Sequence, residues 1–416
     1  MSGKLCPKLP RLSCAHTEKS TENCKEFSGY QWTYFLSLKE GPIRSRAELF
    51  LASVNWLALQ EYAASKRDGI NCSLLPDIGL GYNHMVRIIE FMDGGRWVAR
   101  LKLPPLTKSN SSEHALETTG ICEFNTISLL RQKTSIPIPK IHAFEARFDC
   151  SVKAPFMLMD CLEGNVGMDL GMTIPPKSKK AFLSGLAKIH VHLSTVQLPK
   201  IGTIVSMNAD GTCQQGPIPG LGGPFNTATE FFEAWAAQAK FRMSDEQLRA
   251  ASGEYADEIV PSVSSFPESI SKLASRLSVR DHGPFPLCHG DFGHNNTIVD
   301  DDYHILGVID WETAFAGPWE VFGDFPLSFS TVPPGMDVPW DYNEDGSPKS
   351  AELAQKYADQ RDYVAAVKEE ENRSGGNGHC LSEALEDSRR QQLATAMRLF
   401  QNGKVGWYSK VIDQLC

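Results

Sequence analysis

Cys288-His-Gly-Asp291-Phe-Gly-His294-Asn-Asn296-Thr-Ile-Val299, continued by Ile305-Leu-Gly-Val-Ile-Asp310-Trp-Glu312, is the stretch from which the rest of the chain is read. Asn296 follows Asp291 by five residues, and Asp310 follows Asn296 by fourteen, at the end of the apolar run Ile305–Ile309. Taken singly, each of the three is as readily explained by a turn or a cap, which Asp and Asn often supply. Together they have the spacing of a phosphoryl-transfer loop. A carboxylate there orients the attacking hydroxyl and accepts its proton, and hard oxygens hold magnesium. Asp291 is the candidate base, and Asn296 and Asp310 are the candidate metal ligands.

His289-Gly-Asp-x-x-x-x-Asn296 with Ile309-Asp-Trp-Glu312 resembles the aminoglycoside phosphotransferase family, and within it the large fungal branch of phosphotransferase enzyme family proteins. The resemblance extends over roughly residues 70–330. It implies an α+β, two-lobe, protein-kinase-like fold: a small lobe with an antiparallel sheet and a larger, mainly helical lobe. ATP and Mg2+ would sit between the lobes, and the γ-phosphoryl group would pass to a hydroxyl of a small molecule. His289 would brace the loop backbone, and Asp324 would tie that backbone down. The expected division is an N-terminal extension over residues 1–40 draped on the first lobe, a small lobe over 41–160, and a large lobe over 161–416. A substrate-side insertion is expected over 200–260.

Composition is that of an ordinary globular chain: 416 residues, 42% hydrophobic and 22% charged. A net charge of −9 argues against a nucleic-acid partner and is compatible with a cationic acceptor. The eleven cysteines are scattered without a C-x-x-C pair, which points to reduced thiols rather than a disulfide framework or a zinc site. No apolar run reaches membrane-spanning length, and Met1–Pro7 lacks the apolar core of a signal peptide. A cytoplasmic protein with no membrane partner is expected.

Upstream, Arg46–Lys66 has helical spacing in Phe50, Val54 and Leu57. Met85–Phe91 and Arg96–Leu103 read as two strands joined at Asp93-Gly-Gly95. Gly79 and Gly81 precede them and would let backbone amides approach a nucleotide phosphate, although Gly-x-Gly alone is a weak signal. Alternation puts Val98, Arg100 and Lys102 on one face of the second strand and Ala99, Leu101 and Leu103 on the other. Arg100 stands where kinases carry a phosphate-pairing lysine, with Lys102 as the fallback. In the helix Leu116–Lys133, Glu123 shares a face with Ile127 and Leu130, so its carboxylate needs a partner, and Arg100 is the obvious one. Ala154–Gly164 reads as a buried strand entering a hinge, where the main chain of Asp160, Cys161 and Leu162 would line the adenine site.

Downstream, helices are expected over residues 177–198, 227–251, 262–279, 351–370 and 381–401, and a long Gly/Pro-rich loop over 207–226. The acceptor is placed against that loop and the helix from Thr227, where Glu230, Glu233, Asp245 and Glu246 could meet a cation. Lys368-Glu-Glu-Glu371 reads as a solvated helix end. Two rival readings are a protein kinase and a non-catalytic nucleotide-binding scaffold. The first lacks a full glycine-rich loop and an Ala-Pro-Glu after Asp310, and the second is opposed by the joint presence of Asp291, Asn296 and Asp310.

Overall fold

The computed structural model describes residues 27–106, 113–375 and 380–415. The stretch expected to be one helix from Arg46 is two, Pro42–Ser53 (α1) and Trp56–Ser65 (α2). Asn55 breaks it: its side chain accepts a hydrogen bond from the Ala58 amide and caps a fresh helix. The break rotates the second half, so Leu57 faces solvent while Leu59 and Ala63 go inside.

Five antiparallel strands follow, interrupted by one helix: Cys72–Leu80 (β1), His84–Phe91 (β2), Arg96–Lys102 (β3), Glu113–Lys133 (α3), Ile141–Glu145 (β4) and Phe156–Asp160 (β5). Their order in the sheet is β1-β2-β3-β5-β4. β1 was not legible as a strand, because Pro76 and an irregularity between Leu74 and Ile78 break its alternation. β3 alternates as its pattern predicts, with Trp97, Ala99 and Leu101 buried and Val98, Arg100 and Lys102 on the partly open face.

The large lobe begins with Pro176–Ser194 (α4) and Gln197–Leu198 (β6). The expected loop over 207–226 is in part a hairpin, Thr203–Met207 (β7) with Cys213–Gly216 (β8), followed by a tight turn at 218–222. The expected helix over 227–251 is two, Ala228–Gln238 (α5) and Asp245–Ser252 (α6), each opened by a hydroxyl cap, Thr227 and Ser244. Ala256–Leu277 (α7) then leads into Phe285–Cys288 (β9), Thr297–Val299 (β10), Ile305–Val308 (β11) and Phe315–Ala316 (β12). The chain closes with Trp319–Phe322 (α8), Ala351–Arg373 (α9), Cys380–Glu386 (α10), Ser388–Gln401 (α11) and Tyr408–Asp413 (α12). The run at Lys368 is not simply solvated. Glu370 and Glu371 are buried, and Glu371 accepts from the Leu381 and Ser382 amides at the start of α10.

Two apolar cores result. One gathers the inner face of the sheet with α1 and α2. The other fills the helical lobe and reaches up to Ile127 and Leu130 of α3 and to Met157 and Met159 of β5. α3 therefore belongs to the sheet lobe by sequence and packs into the helical lobe's core, which anchors Glu123 between them. The architecture is the two-lobe, kinase-like α+β fold.

Candidate active site

β9 is the middle strand of β12-β9-β6 and delivers the chain to His289-Gly-Asp291. Gly290 turns it with φ +85°, and a Cβ there would lie 2.5 Å from the Thr313 carbonyl, so the position has room only for glycine. His289 holds the loop from beneath. Its Nε2 meets the Ile309 carbonyl at 3.0 Å, and its Nδ1 accepts from the Asp291 amide at 3.3 Å. Burial lowers its pKa and keeps it neutral. The side-chain Nδ2 groups of Asn295 and Asn296 both donate to Asp291 Oδ2, at 2.9 and 2.8 Å, which fixes that carboxylate and leaves the Asn296 side-chain oxygen out of the contact. The β10–β11 hairpin then carries the chain back, and the Ile309 amide donates to the Asn296 carbonyl at 3.0 Å. Asp310 follows in the left-handed region, φ +65°, which Asp tolerates better than most residues. Trp311 is buried against His289 and locks the turn.

Arg100 joins the lobes. Its Nη1 donates to both oxygens of Glu123 at 2.8 Å, and its Nη2 donates to Asp310 Oδ1 at 2.6 Å. Burial opposes its charge, but Glu123 and Asp310 outweigh that and hold it protonated. Burial pushes the Glu123 carboxyl up against the pull of Arg100, and a 3.1 Å bond from the Trp311 amide further steadies the carboxylate. Lys102 makes a second pair, with Glu312. His84 lies 3.7 Å from the other Glu312 oxygen, and burial beside Arg100 and Lys102 holds it neutral. Ligand atoms of His84, Asp310 and Glu312 come within 4.8 Å of one another, but both carboxylates are already matched by a cation.

Two cavities meet here. One, of about 560 Å³, runs between the lobes past Arg100, Glu123, Met159, Asp160, Leu162, Asn296 and Asp310. The other, of about 510 Å³, lies in the helical lobe and is walled by Ile218–Leu221, α5, the 315–327 segment and α11. Asp291 is the one residue, among those described, that lines both.

The phosphotransferase enzyme family matches residues 83–321, more than half of the chain. The chain belongs to this family. Solved structures similar to this phosphotransferase include a thermostable mutant of the aminoglycoside phosphotransferase APH(4)-Ia in ternary complex with ADP and hygromycin B, 16% identical over 86% of this chain and 97% of that one, with a TM-score of 0.45. They also include the macrolide 2'-phosphotransferase MphH of Brachybacterium faecium, 16% identical over 82% and 96%, with a TM-score of 0.36. A third is APH(2")-IIa in complex with streptomycin and ATP, 15% identical over 81% and 97%, with a TM-score of 0.39. No curated protein sequence matches.

Several sequence expectations for this phosphotransferase meet a different geometry. Gly81 lines the cleft, but its amide is committed to the His84 carbonyl in the β1–β2 turn at 2.9 Å. Gly79 is side-chain-free because Trp32 lies on it, with a Cβ position only 2.6 Å from the ring. Both glycines thus line the cleft, one with its amide already paired and the other with its open face covered by Trp32. The Asp160 side chain is held by the Lys140 amide and His142, and the Cys161 thiol by Tyr30. The Leu162 amide has no hydrogen-bond partner among the described residues. His294 is wholly buried against Phe182, as a plain loop histidine that packs rather than contacts a ligand. Asp324 does not tie down the catalytic-loop backbone. It accepts from Thr395 Oγ1 at 2.6 Å and Arg398 Nε at 2.7 Å and anchors α11. Glu230, Glu233, Asp245 and Glu246 are exposed and do not line the helical-lobe cavity. Its walls are aromatic instead, with Phe231, Trp235, Phe292, Phe315, Phe322 and Phe325. No local pattern in the sequence marks these residues. All seven cysteines among the described residues are free, and no helix among them is long and apolar enough to cross a membrane.

Proposed function

We propose that the chain is an ATP- and magnesium-dependent phosphotransferase that moves the γ-phosphoryl group to a hydroxyl of a small molecule. The observation that carries this reading is Asp291 standing where the two cavities join. A base there reaches a hydroxyl in one cavity that faces a phosphate in the other. The hydroxyl oxygen bonds to phosphorus, its proton goes to Asp291, and ADP leaves. Arg100, held in place by Glu123, supplies fixed positive charge at the phosphate end. Asp310 and the Asn296 side-chain oxygen are hard oxygen donors of the kind magnesium takes, and they would hold it. Bound magnesium would neutralise the phosphate oxygens.

The acceptor cavity, with aromatic walls and Gln238, Arg398 and Gln401 among them, favours a ring-like body with polar substituents over a polycation. Asp324 is neutralised by Arg398, whose Nη1 remains uncommitted among the described residues, so Asp291 is the one unmatched carboxylate there. A non-catalytic reading draws on one feature, the Arg100 pair that occupies one oxygen of Asp310. The test is ADP release with MgATP and a panel of hydroxyl compounds, run beside Asp291→Asn. Turnover lost in the variant supports transfer. Absence of turnover across the panel, with magnesium having no effect on nucleotide affinity, favours the non-catalytic reading.

A further inference from the structure

The segment before the first helix crosses the outside of the interlobe cleft and is tied to both lobes. On the helical-lobe side, the Ser28 amide and hydroxyl donate to the Asp301 carboxylate at 2.9 and 2.7 Å. Asn165 holds the next residues by a reciprocal pair: its Oδ1 accepts from the Gln31 amide at 2.8 Å, and its Nδ2 donates to the Gly29 carbonyl at 3.0 Å. On the sheet-lobe side, the Thr33 carbonyl accepts from the Leu80 amide at 2.9 Å, Tyr34 bridges Gly79, and the Trp32 ring lies on Gly79. Between these anchors Tyr30 and Trp32 pack with their rings tilted, centres 4.5 Å apart, and both line the cleft.

Tyr30 also acts on the hinge. Its hydroxyl donates to the Leu162 carbonyl at 3.1 Å, and the Gly164 amide donates to the same oxygen at 3.1 Å. A carbonyl has two lone pairs, so this one is fully used. The Leu162 amide, with no partner among the described residues, is then what the hinge offers a ligand there: a donor without its neighbouring acceptor. Adenine presents an acceptor at N1, whereas guanine presents a donor.

We propose that residues 27–34 are a strap that forms the outer wall of the nucleotide site and, through Tyr30, sets its preference for adenine. This rests on the cleft being a nucleotide site. The strap explains why Gly79 carries no side chain and why Asn165 is buried with both ends of its amide engaged. Because it spans the lobes, it must detach from at least one anchor before a base can enter or leave from the front. Binding and release are therefore gated by the Ser28–Asp301 and Asn165 contacts.

The experiment is titration of the full chain with MgADP and MgGDP, together with stopped-flow release of a fluorescent ADP. The same measurements are made on Tyr30→Phe, Trp32→Ala and Asp301→Ala. Thermal unfolding without nucleotide serves as the check on folding, which Asp301→Ala, a change at an exposed side chain away from the base, should leave intact. Tyr30→Phe frees one lone pair of the Leu162 carbonyl and should narrow the ADP-over-GDP preference several-fold. Trp32→Ala should weaken ADP about tenfold, and Asp301→Ala should quicken its release. ADP binding that is unchanged or tighter in the folded variants overturns the strap, the latter marking the segment as a plug. An unchanged base preference in Tyr30→Phe overturns the base reading. A full chain that binds neither nucleotide sinks the nucleotide site itself, and the strap with it.

Discussion

The two sides of Asp291 are built from different materials. Toward the interlobe cleft stand Arg100, Glu123 and Asp310, with Arg100 paired to Glu123 within its lobe and to Asp310 across the lobes, and the Lys102–Glu312 pair behind them. Toward the helical lobe stand Phe231, Trp235, Phe292 and Phe315, with a single Asp324–Arg398 pair at the back. A triphosphate demands much the same fixed charge whatever the acceptor. That demand is met by a few residues at fixed spacings on β3, α3 and the turn after β11. An acceptor demands shape, and shape is assembled from segments near 218, 231, 315 and 397 that share no local pattern. The division predicts that most substitutions here disturb one side alone.

Asp291→Asn is the exception and the largest expected effect. It keeps the size of the side chain and the hydrogen bonds of the loop but removes the base. Turnover should fall by about 10²–10⁴ while the dissociation constant for MgADP stays within about twofold. A variant that turns over at the parent rate would remove Asp291 from the junction of the two sides.

Glu123→Ala tests the charged side alone. It leaves the Arg100 guanidinium buried with only Asp310 to balance it, and breaking a buried pair costs on the order of 3 kcal/mol. Denaturant unfolding should show that loss. The cycle of Arg100→Met with Glu123→Ala should return a coupling above about 0.5 kcal/mol. A coupling near zero would mean that Arg100 is positioned without this pair.

Leu221→Ala tests the other side. Leu221 sits in the turn over the helical-lobe cavity and is only partly buried, so the fold should survive. Losing most of an apolar side chain's contact is worth about 1–1.5 kcal/mol. Once an acceptor is known, its KM should rise about tenfold with the KM for ATP unchanged. Glu230→Gln and Glu233→Gln, outside the cavity, should move neither. A shift in both constants for Leu221→Ala would break the division between the sides.

These differences follow what the sequence could and could not convey. The charged side was legible because its residues sit at fixed spacings on regular elements: Arg100 by strand alternation, Glu123 by helical phase, and Asp310 by the hairpin's length. Local rules failed where a capping or packing partner came from afar. Asn55 broke a helix whose apolar spacing ran on through it. Gly79 in the sequence offers room for a phosphate, but the room is taken by Trp32, forty-seven residues earlier. The four acidic residues near α5 suggested a cation site, yet helix geometry turns them outward and puts Phe231 and Trp235 inward.

Asp169 sharpens the comparison from a third direction, with the smallest effect. It lines the interlobe cleft, and burial pushes its carboxyl up to about 6 despite a hydrogen bond from the Val166 backbone. Asp324, its counterpart in the other cavity, has an arginine beside it. Between pH about 4 and about 6 the folded chain keeps a proton on Asp169 that the unfolded chain has lost. Stability from this group is therefore fully present below about pH 4, falls as pH rises, and levels off above about 6. Because the group is partly open to solvent, the whole change should be only about 1 kcal/mol. Asp169→Asn has no proton to lose. The stability gap between variant and parent, read from urea midpoints, should widen in the variant's favour from pH 4 to pH 6.5 and then stay constant. Parallel curves across that range would mean that the Asp169 carboxylate is as well matched as those around Arg100. The nucleotide side would then hold no unmatched charge beyond Asp291.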